Sequence, residues 1–247
     1  MTNKKLIVGA LSVKPRPTGN LHDWLARSIG ERILAGEFAP ETLLPNEAAW
    51  GKIYNVSRTA VREAIKTLTG KGLLLSRPKI GSRVEPRDRW NLLDRDVLSW
   101  HRSAIDRRSF AASTQEARRI IEPGIAALAA KKRSVEQLDR LVTALEAMRK
   151  AKSVDVNVAA DVEFHSALLQ AANNDLLMPF GIIIEQALAN LFDYTSQRNP
   201  KPSLAIKLHE RIVRAIVDQD AEAARQAMLK LIDDTDAVIS ATSPQKK

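Results

Sequence analysis

The chain has 247 residues, 45% of them hydrophobic, with 38 Lys and Arg against 29 Asp and Glu and no cysteine. That length holds one large or two modest domains, the missing cysteines exclude disulfides and thiolate metal sites, and no continuous apolar run reaches the roughly 20 residues of a membrane helix. The positive balance is localised: residues 1–90 carry 16 Lys and Arg against 8 Asp and Glu, whereas residues 91–247 carry 22 against 21. This step predicts a polyanion-binding N-terminal domain followed by a neutral one. Residues 1–17, MTNKKLIVGALSVKPRP, read as a loose arm. Leu6 to Val13 is the rival start of a signal peptide, but Lys14, Pro15 and Arg16 follow without a small-residue cleavage pattern, so a cytoplasmic location is expected.

Residues 44–75, LPNEAAWGKIYNVSRTAVREAIKTLTGKGLLL, predict two helices across a short turn. The first runs from about Asn46 to Tyr54 and braces the second across Asn55 and Val56. The second opens at Ser57, a hydroxyl suited to capping free N–H groups, and stops at Gly70. Its apolar positions Val61, Ile65 and Leu68 turn toward a core. Arg58, Arg62 and Lys66, spaced i, i+4, i+8, then form one outward row with Thr59 beside it. Arginines at the start of such a helix reach phosphates or fork onto a guanine edge in the major groove. Beyond Gly70, the strand Leu73 to Leu75, a turn from Arg77 to Gly81 and the return Ser82 to Val84 predict a hairpin. Lys79 and Gly81 at its tip suit it to lie along a DNA backbone or minor groove.

These elements, in this order and ending in G-S-R-V, resemble the winged helix-turn-helix of the GntR transcription regulators over roughly 65 residues. The resemblance implies DNA contacts from Arg58, Thr59, Arg62 and Gly81. Two positions depart from it: Glu41 stands where the family usually has Gly after Pro, and Ala48 where some members place a further DNA-contacting Arg.

Residues 18–86 are therefore expected to form a DNA-binding domain and residues 87–100 a connector, docked by Trp90, Leu93, Val97 and Trp100. Residues 101–242 are expected to form a second domain. Helical spacing over segments near 113–131, 134–150, 153–173, 175–197, 203–218 and 220–241, with breaks at Asn173-Asn174 and from Asn199 to Pro202, predicts an all-α antiparallel bundle. The tail from Ser243 reads as a frayed end. The fold class expected is mainly α, with a small β wing.

Inside the bundle, polar residues stand in apolar slots. Asp161 and His165, four apart, share a face with Val158 and Leu168. His209 lies close to Ile212, Val213 and Ile216, and Arg118 shares a face with Ile121 and Ile125. Buried charge is costly unless paired, so four such groups predict a polar chamber in which Arg118 grips a carboxylate. The alternative role for Arg118 is an intrahelical pair with Glu122.

E-A-R-R-I-I-E-P, D-V-E-F-H and H-E-R-I-V-R-A-I followed by D-A-E-A-A-R-Q-A-M resemble the all-helical effector-binding domain of the FadR-type branch of the GntR family. In that branch an Asp and three His commonly hold a divalent metal that helps bind a carboxylate effector. Asp161, His165 and His209 match, and Leu231 replaces the third His. The resemblance thus implies Asp161, His165 and His209 as ligands of Zn, Mn, Fe or Ni, with water or an effector oxygen completing the shell. A metal-free pocket using the same three side chains as hydrogen-bonding groups is the competing reading. The connector P-R-D-R-W-N-L-L-D-R-D-V-L-S-W resembles that of the family's sugar-acid regulators, which implies a sugar-acid effector. The partners expected are an inverted-repeat operator DNA and a second copy of the chain. A metal-dependent helical-bundle enzyme and a non-specific DNA-compaction protein are the other classes. The first leaves the basic N-terminal unit unexplained, and the second needs no pocket.

Overall fold

The computed structural model describes residues 20–77, 80–195 and 202–242, which divide at Ile105 into two compact units. Lys79, the arm 1–17, the break at Asn199 to Lys201 and the tail from Ser243 lie outside the described residues. No helix among the described residues is long and apolar enough to cross a membrane.

The first unit is built on α1 (Leu21–Leu34), α2 (Glu47–Tyr54) and α3 (Arg58–Gly70). The Asn46 and Ser57 side chains accept from the backbone N–H of Ala49 and Ala60, so both helix-turn-helix elements start on side-chain caps. Asn55, at φ 52°, makes the left-handed turn between them. Val61, Ala64, Ile65 and Leu68 of α3 pack with Leu25, Ile29 and Ile33 of α1 and with Trp50 and Tyr54 of α2. Fully burying a large apolar side chain of this kind contributes roughly 1.5–3 kcal/mol. The wing pairs β1 (Leu74–Arg77) with β2 (Gly81–Val84) in register Leu74 to Val84. It starts one residue later than the spacing predicts, because Leu73 turns into the core. Residues 41–44 run beside β2, where Leu44 N–H donates to the Ser82 carbonyl at 2.8 Å and Glu41 N–H to the Val84 carbonyl at 2.9 Å.

Glu41 therefore occupies a left-handed position, φ 67°, which suits the glycine usual there in the family. Gly72, at φ 74°, has a sharper requirement, since an added Cβ would lie 2.4 Å from the Arg89 carbonyl oxygen. Gly72→Ala is expected to destabilise the chain by more than about 1 kcal/mol, the low end of the left-handed penalty alone. A urea melt of the variant matching wild type would contradict this.

The 87–100 segment belongs to the first unit and is partly helical. After a short 3-10 turn, α4 (Arg95–Ala104) starts on an Asp94 cap and packs against α1. Trp90, Val97 and Trp100 join the first unit's core, whereas Leu93 is only half-buried. Lys71 Nζ lies 2.8 Å from Asp94 Oδ1 and 2.9 Å from Asp96 Oδ2, tying the end of the reader helix to the start of α4.

The second unit comprises α5 (Arg107–Lys132), α6 (Val135–Lys150), α7 (Val154–Ala171), α8 (Gly181–Thr195), α9 (Pro202–Val217) and α10 (Ala221–Thr242). A 3-10 turn, Asp175–Phe180, leads into α8. A capping box of Ser134 and Gln137 opens α6, and Asn173, at φ 46°, turns the chain out of α7. One apolar core joins Ile125, Leu141, Phe164, Leu168, Ile212, Met228 and Ile232. This is the expected antiparallel helical architecture, and α5, α7, α8 and α9 hold the buried polar residues within it.

Candidate functional site

The row predicted on the reader helix is exposed: Arg58, Thr59, Arg62 and Lys66 all face solvent on α3. The first turn of α3 has no acidic residue and begins with Arg58. Its positive helix end is thus reinforced rather than neutralised, an arrangement suited to an anion such as phosphate. Arg62 Nε and Nη2 reach Glu47 Oε1 and Oε2 at 3.2 and 3.1 Å, so α2 holds the guanidinium in a two-point fork. An exposed pair of this kind is weak and screened by solvent, and DNA competes for it readily. Gly81, at φ 105°, is exposed at the wing tip next to exposed Ile80.

Within the second unit, the chain brings four of the expected groups into one connected set. Asp161 Oδ1 lies 3.5 Å from His165 Nε2 and 3.1 Å from His209 Nε2. His209 Nδ1 is 2.8 Å from the Ala205 carbonyl, which only accepts, so Nδ1 carries a proton and Nε2 faces Asp161. His165 Nδ1 lies 2.7 Å from Glu122 Oε2. Glu122 also accepts from Arg118 Nε, and Arg118 Nη1 donates to Gln115 Oε1 at 3.0 Å. Phe164 walls the set edge-on, with its ring centroid 4.8 Å from that of His209. Arg118, Glu122, His165 and His209 are buried and Asp161 is half-buried.

The electrostatics follow from the pairings. Burial opposes ionisation of Glu122, but the charges of Arg118 and His165 outweigh it and hold the carboxyl at about 2. Burial likewise opposes the Asp161 carboxylate, yet His165 and His209 hold it well below the usual range. For His165, burial disfavours charge while the Glu122 and Asp161 carboxylates favour it, with a net rise to about 9. Neither imidazole-to-Asp161 approach has hydrogen-bond alignment, and among the described residues Asp161 Oδ1, His209 Nε2, His165 Nδ1 and Glu122 Oε2 have no hydrogen-bond partner. A carboxylate oxygen and an imidazole nitrogen this close and out of hydrogen-bond alignment form an arrangement that a cation would satisfy.

The donor set fits a metal ion. One ligand atom from each of Asp161, His165 and His209 falls within 4.8 Å of the others. The two Asp161 separations bracket the edge of about 3.4 Å expected for a tetrahedral site with 2.0–2.1 Å bonds. Glu122 Oε2 stands 2.7 Å behind His165 Nδ1, the place from which a carboxylate can orient a ligating imidazole. Leu231 is buried in the apolar core and offers no ligand.

Arg118 makes the intrahelical pair with Glu122. With Nε and Nη1 engaged, Nη2 is left without a hydrogen-bond partner among the described residues. Sequence reasoning missed Glu122 as the carboxylate facing His165. It also missed Gln186 and Asn190 on α8, both buried, whose amide oxygens have no hydrogen-bond partner among the described residues.

Residues 22–84 match the bacterial regulatory proteins of the gntR family, and residues 114–234 match the FCD domain. The uncharacterized HTH-type transcriptional regulator YieP of Escherichia coli K12 is 33% identical, covering 88% of this chain and 94% of its own. The chain belongs to the GntR family, with a C-terminal FCD domain. It is a DNA-binding transcription regulator, not an enzyme. The galactonate operon transcriptional repressor of the same organism is 32% identical over 87% of this chain and 95% of its own. Among solved structures, Listeria monocytogenes Lar, which controls expression of the agr system, is similar with a TM-score of 0.63 and 17% identity. That match covers 92% of this chain and 99% of Lar and shows the shared fold alone.

Proposed function

We propose that this GntR-family member is a cytoplasmic, homodimeric repressor whose grip on an inverted-repeat operator is weakened when a sugar acid binds the FCD domain. The observation that carries this reading is the connected set Arg118–Glu122–His165–Asp161–His209, buried in the domain that follows a basic DNA-reading unit. A positively charged buried group with free Nη2 hydrogens meets a carboxylate by a charge-assisted hydrogen bond. The relationship to the galactonate operon repressor supports a polyhydroxylated acid as its bearer. Arg58, Thr59, Arg62, Lys66, Lys79 and Gly81 carry the DNA contacts, and two-fold pairing of reader helices matches a palindromic site.

Asp161, His165 and His209 would hold a divalent ion, which when bound supplies a positive centre for the effector's oxygens. Asp161 and His209 direct their donor atoms to that centre, and Glu122 orients His165. Leu231, at the family's third histidine position, leaves room in the shell for water or an effector oxygen. Leu231→His is accordingly expected to strengthen divalent-metal binding at least tenfold by calorimetry. Unchanged metal affinity with a lowered melting temperature would instead favour the metal-free pocket.

The experiment that tests the function is a thermal-shift screen of sugar acids and short carboxylates, with and without divalent metal or chelator, followed by operator release with each hit. Stabilisation by a sugar acid together with release from DNA is the expected result. Stabilisation by none of them would refute the effector assignment.

A further inference from the structure

Helix α8 buries two different stripes. Ile184 and Leu188 join the apolar core, whereas Gln186 and Asn190 turn away from that stripe and are nevertheless 7% and 2% exposed. Being four apart, the two amides stack on one face, about 6 Å apart along the helix. Gln186 Oε1 and Asn190 Oδ1 have no hydrogen-bond partner among the described residues. A buried, unpaired acceptor destabilises a fold, and an apolar residue of the same shape would serve packing better. The helix packs against α5, which carries Arg118 and Glu122, and against α7, which carries Asp161 and His165.

From this placement we infer that Gln186 and Asn190 form the hydroxyl-reading end of the effector site, accepting hydrogen bonds from two hydroxyls on separate carbons of a polyhydroxylated acid. The inference rests on the carboxylate-effector reading above and extends it. A carboxylate has no proton to give these oxygens, but a sugar hydroxyl does. Their separation along the helix favours a multi-carbon aldonate over a short acid with a single hydroxyl. A site that hydrogen-bonds hydroxyl groups rejects a ligand lacking them, because its buried acceptors are then left unpaired.

Calorimetric titration of the full chain with galactonate, gluconate, mannonate and lactate, for wild type, Asn190→Leu and Gln186→Leu, tests it, with thermal melts in parallel. Neither variant should melt well below wild type, since an unpaired buried amide oxygen has been removed and the apolar replacement is close to it in size. Each should bind its preferred aldonate at least tenfold more weakly, with any lactate affinity changed less than twofold. Full aldonate affinity in both variants overturns the inference, as does an equal loss for aldonate and lactate. Variants melting well below wild type also overturn it, because the amides would then be bonded within the fold. Wild type that binds lactate but no aldonate refutes the hydroxyl reading alone. Wild type that binds none of the four acids refutes the carboxylate reading beneath it as well.

Discussion

Replacing Arg58 and Arg62 together by alanine is expected to reduce specific operator binding to the level of binding to unrelated DNA. Both side chains lie exposed on α3, Arg58 at its positively polarised first turn and Arg62 held by the Glu47 fork. An arginine that reads a base contributes roughly 1–3 kcal/mol of discrimination, and a lysine on phosphate acts uniformly across sequences. Lys66→Ala should therefore lower affinity for operator and unrelated duplexes alike and reduce the salt dependence of both. Fluorescence anisotropy with the two kinds of duplex at several salt concentrations separates the roles. A double arginine variant that keeps the wild-type ratio of specific to non-specific affinity would remove α3 as the reading element.

Glu122→Gln is expected to cost about 3–5 kcal/mol of stability, because it leaves the Arg118 charge buried without its principal partner. Arg118 and Glu122 are each about 1% exposed, so water cannot make up the loss. The same change removes the carboxylate that faces His165 Nδ1 and should loosen any metal held by Asp161, His165 and His209. Arg118→Leu combined with Glu122→Leu should recover much of the stability, since both charges vanish together. Urea denaturation of wild type and the two variants measures this. A single variant within about 1 kcal/mol of wild type, the range of an exposed pair, would show that the pair is not a buried ionised one.

The sequence exposes the DNA-reading surface more fully than it exposes the pocket, for a physical reason. On α3, cap, apolar stripe and cationic row are set by helical period within one segment, so Ser57, Val61 and Arg62 are legible by spacing alone. The wing is legible to within a residue, and its shift depends on whether Leu73 points to the core. Reading residues 18–86 as one unit leaves α1 unresolved, although Trp24, Leu25, Ile29 and Ile33 carry the same period. The buried polar set depends on contacts between segments distant in sequence. Asp161 and His165 share a turn of α7, but their meeting with His209 is decided by packing. Glu122 resembles an ordinary i+4 partner of Arg118 until burial shows it facing His165. Glu122, the one charge in the run from Ile120 to Ile125, was the available signal. Gln186 and Asn190, amides in the apolar stretch from Ile182 to Leu191, gave a comparable one.

The central claim is that one chain couples a sugar-acid site to a DNA-reading site. By linkage, a ligand that weakens operator binding must itself bind more weakly to the operator complex, by the same factor. The decisive measurement is calorimetric titration of the hit acid into the free protein and into the protein saturated with an operator selected from random duplexes. At least a fivefold weaker affinity is expected in the presence of operator, matched by an equal loss of operator affinity when the acid is saturating. Equal affinity for the acid with and without operator bound would contradict it.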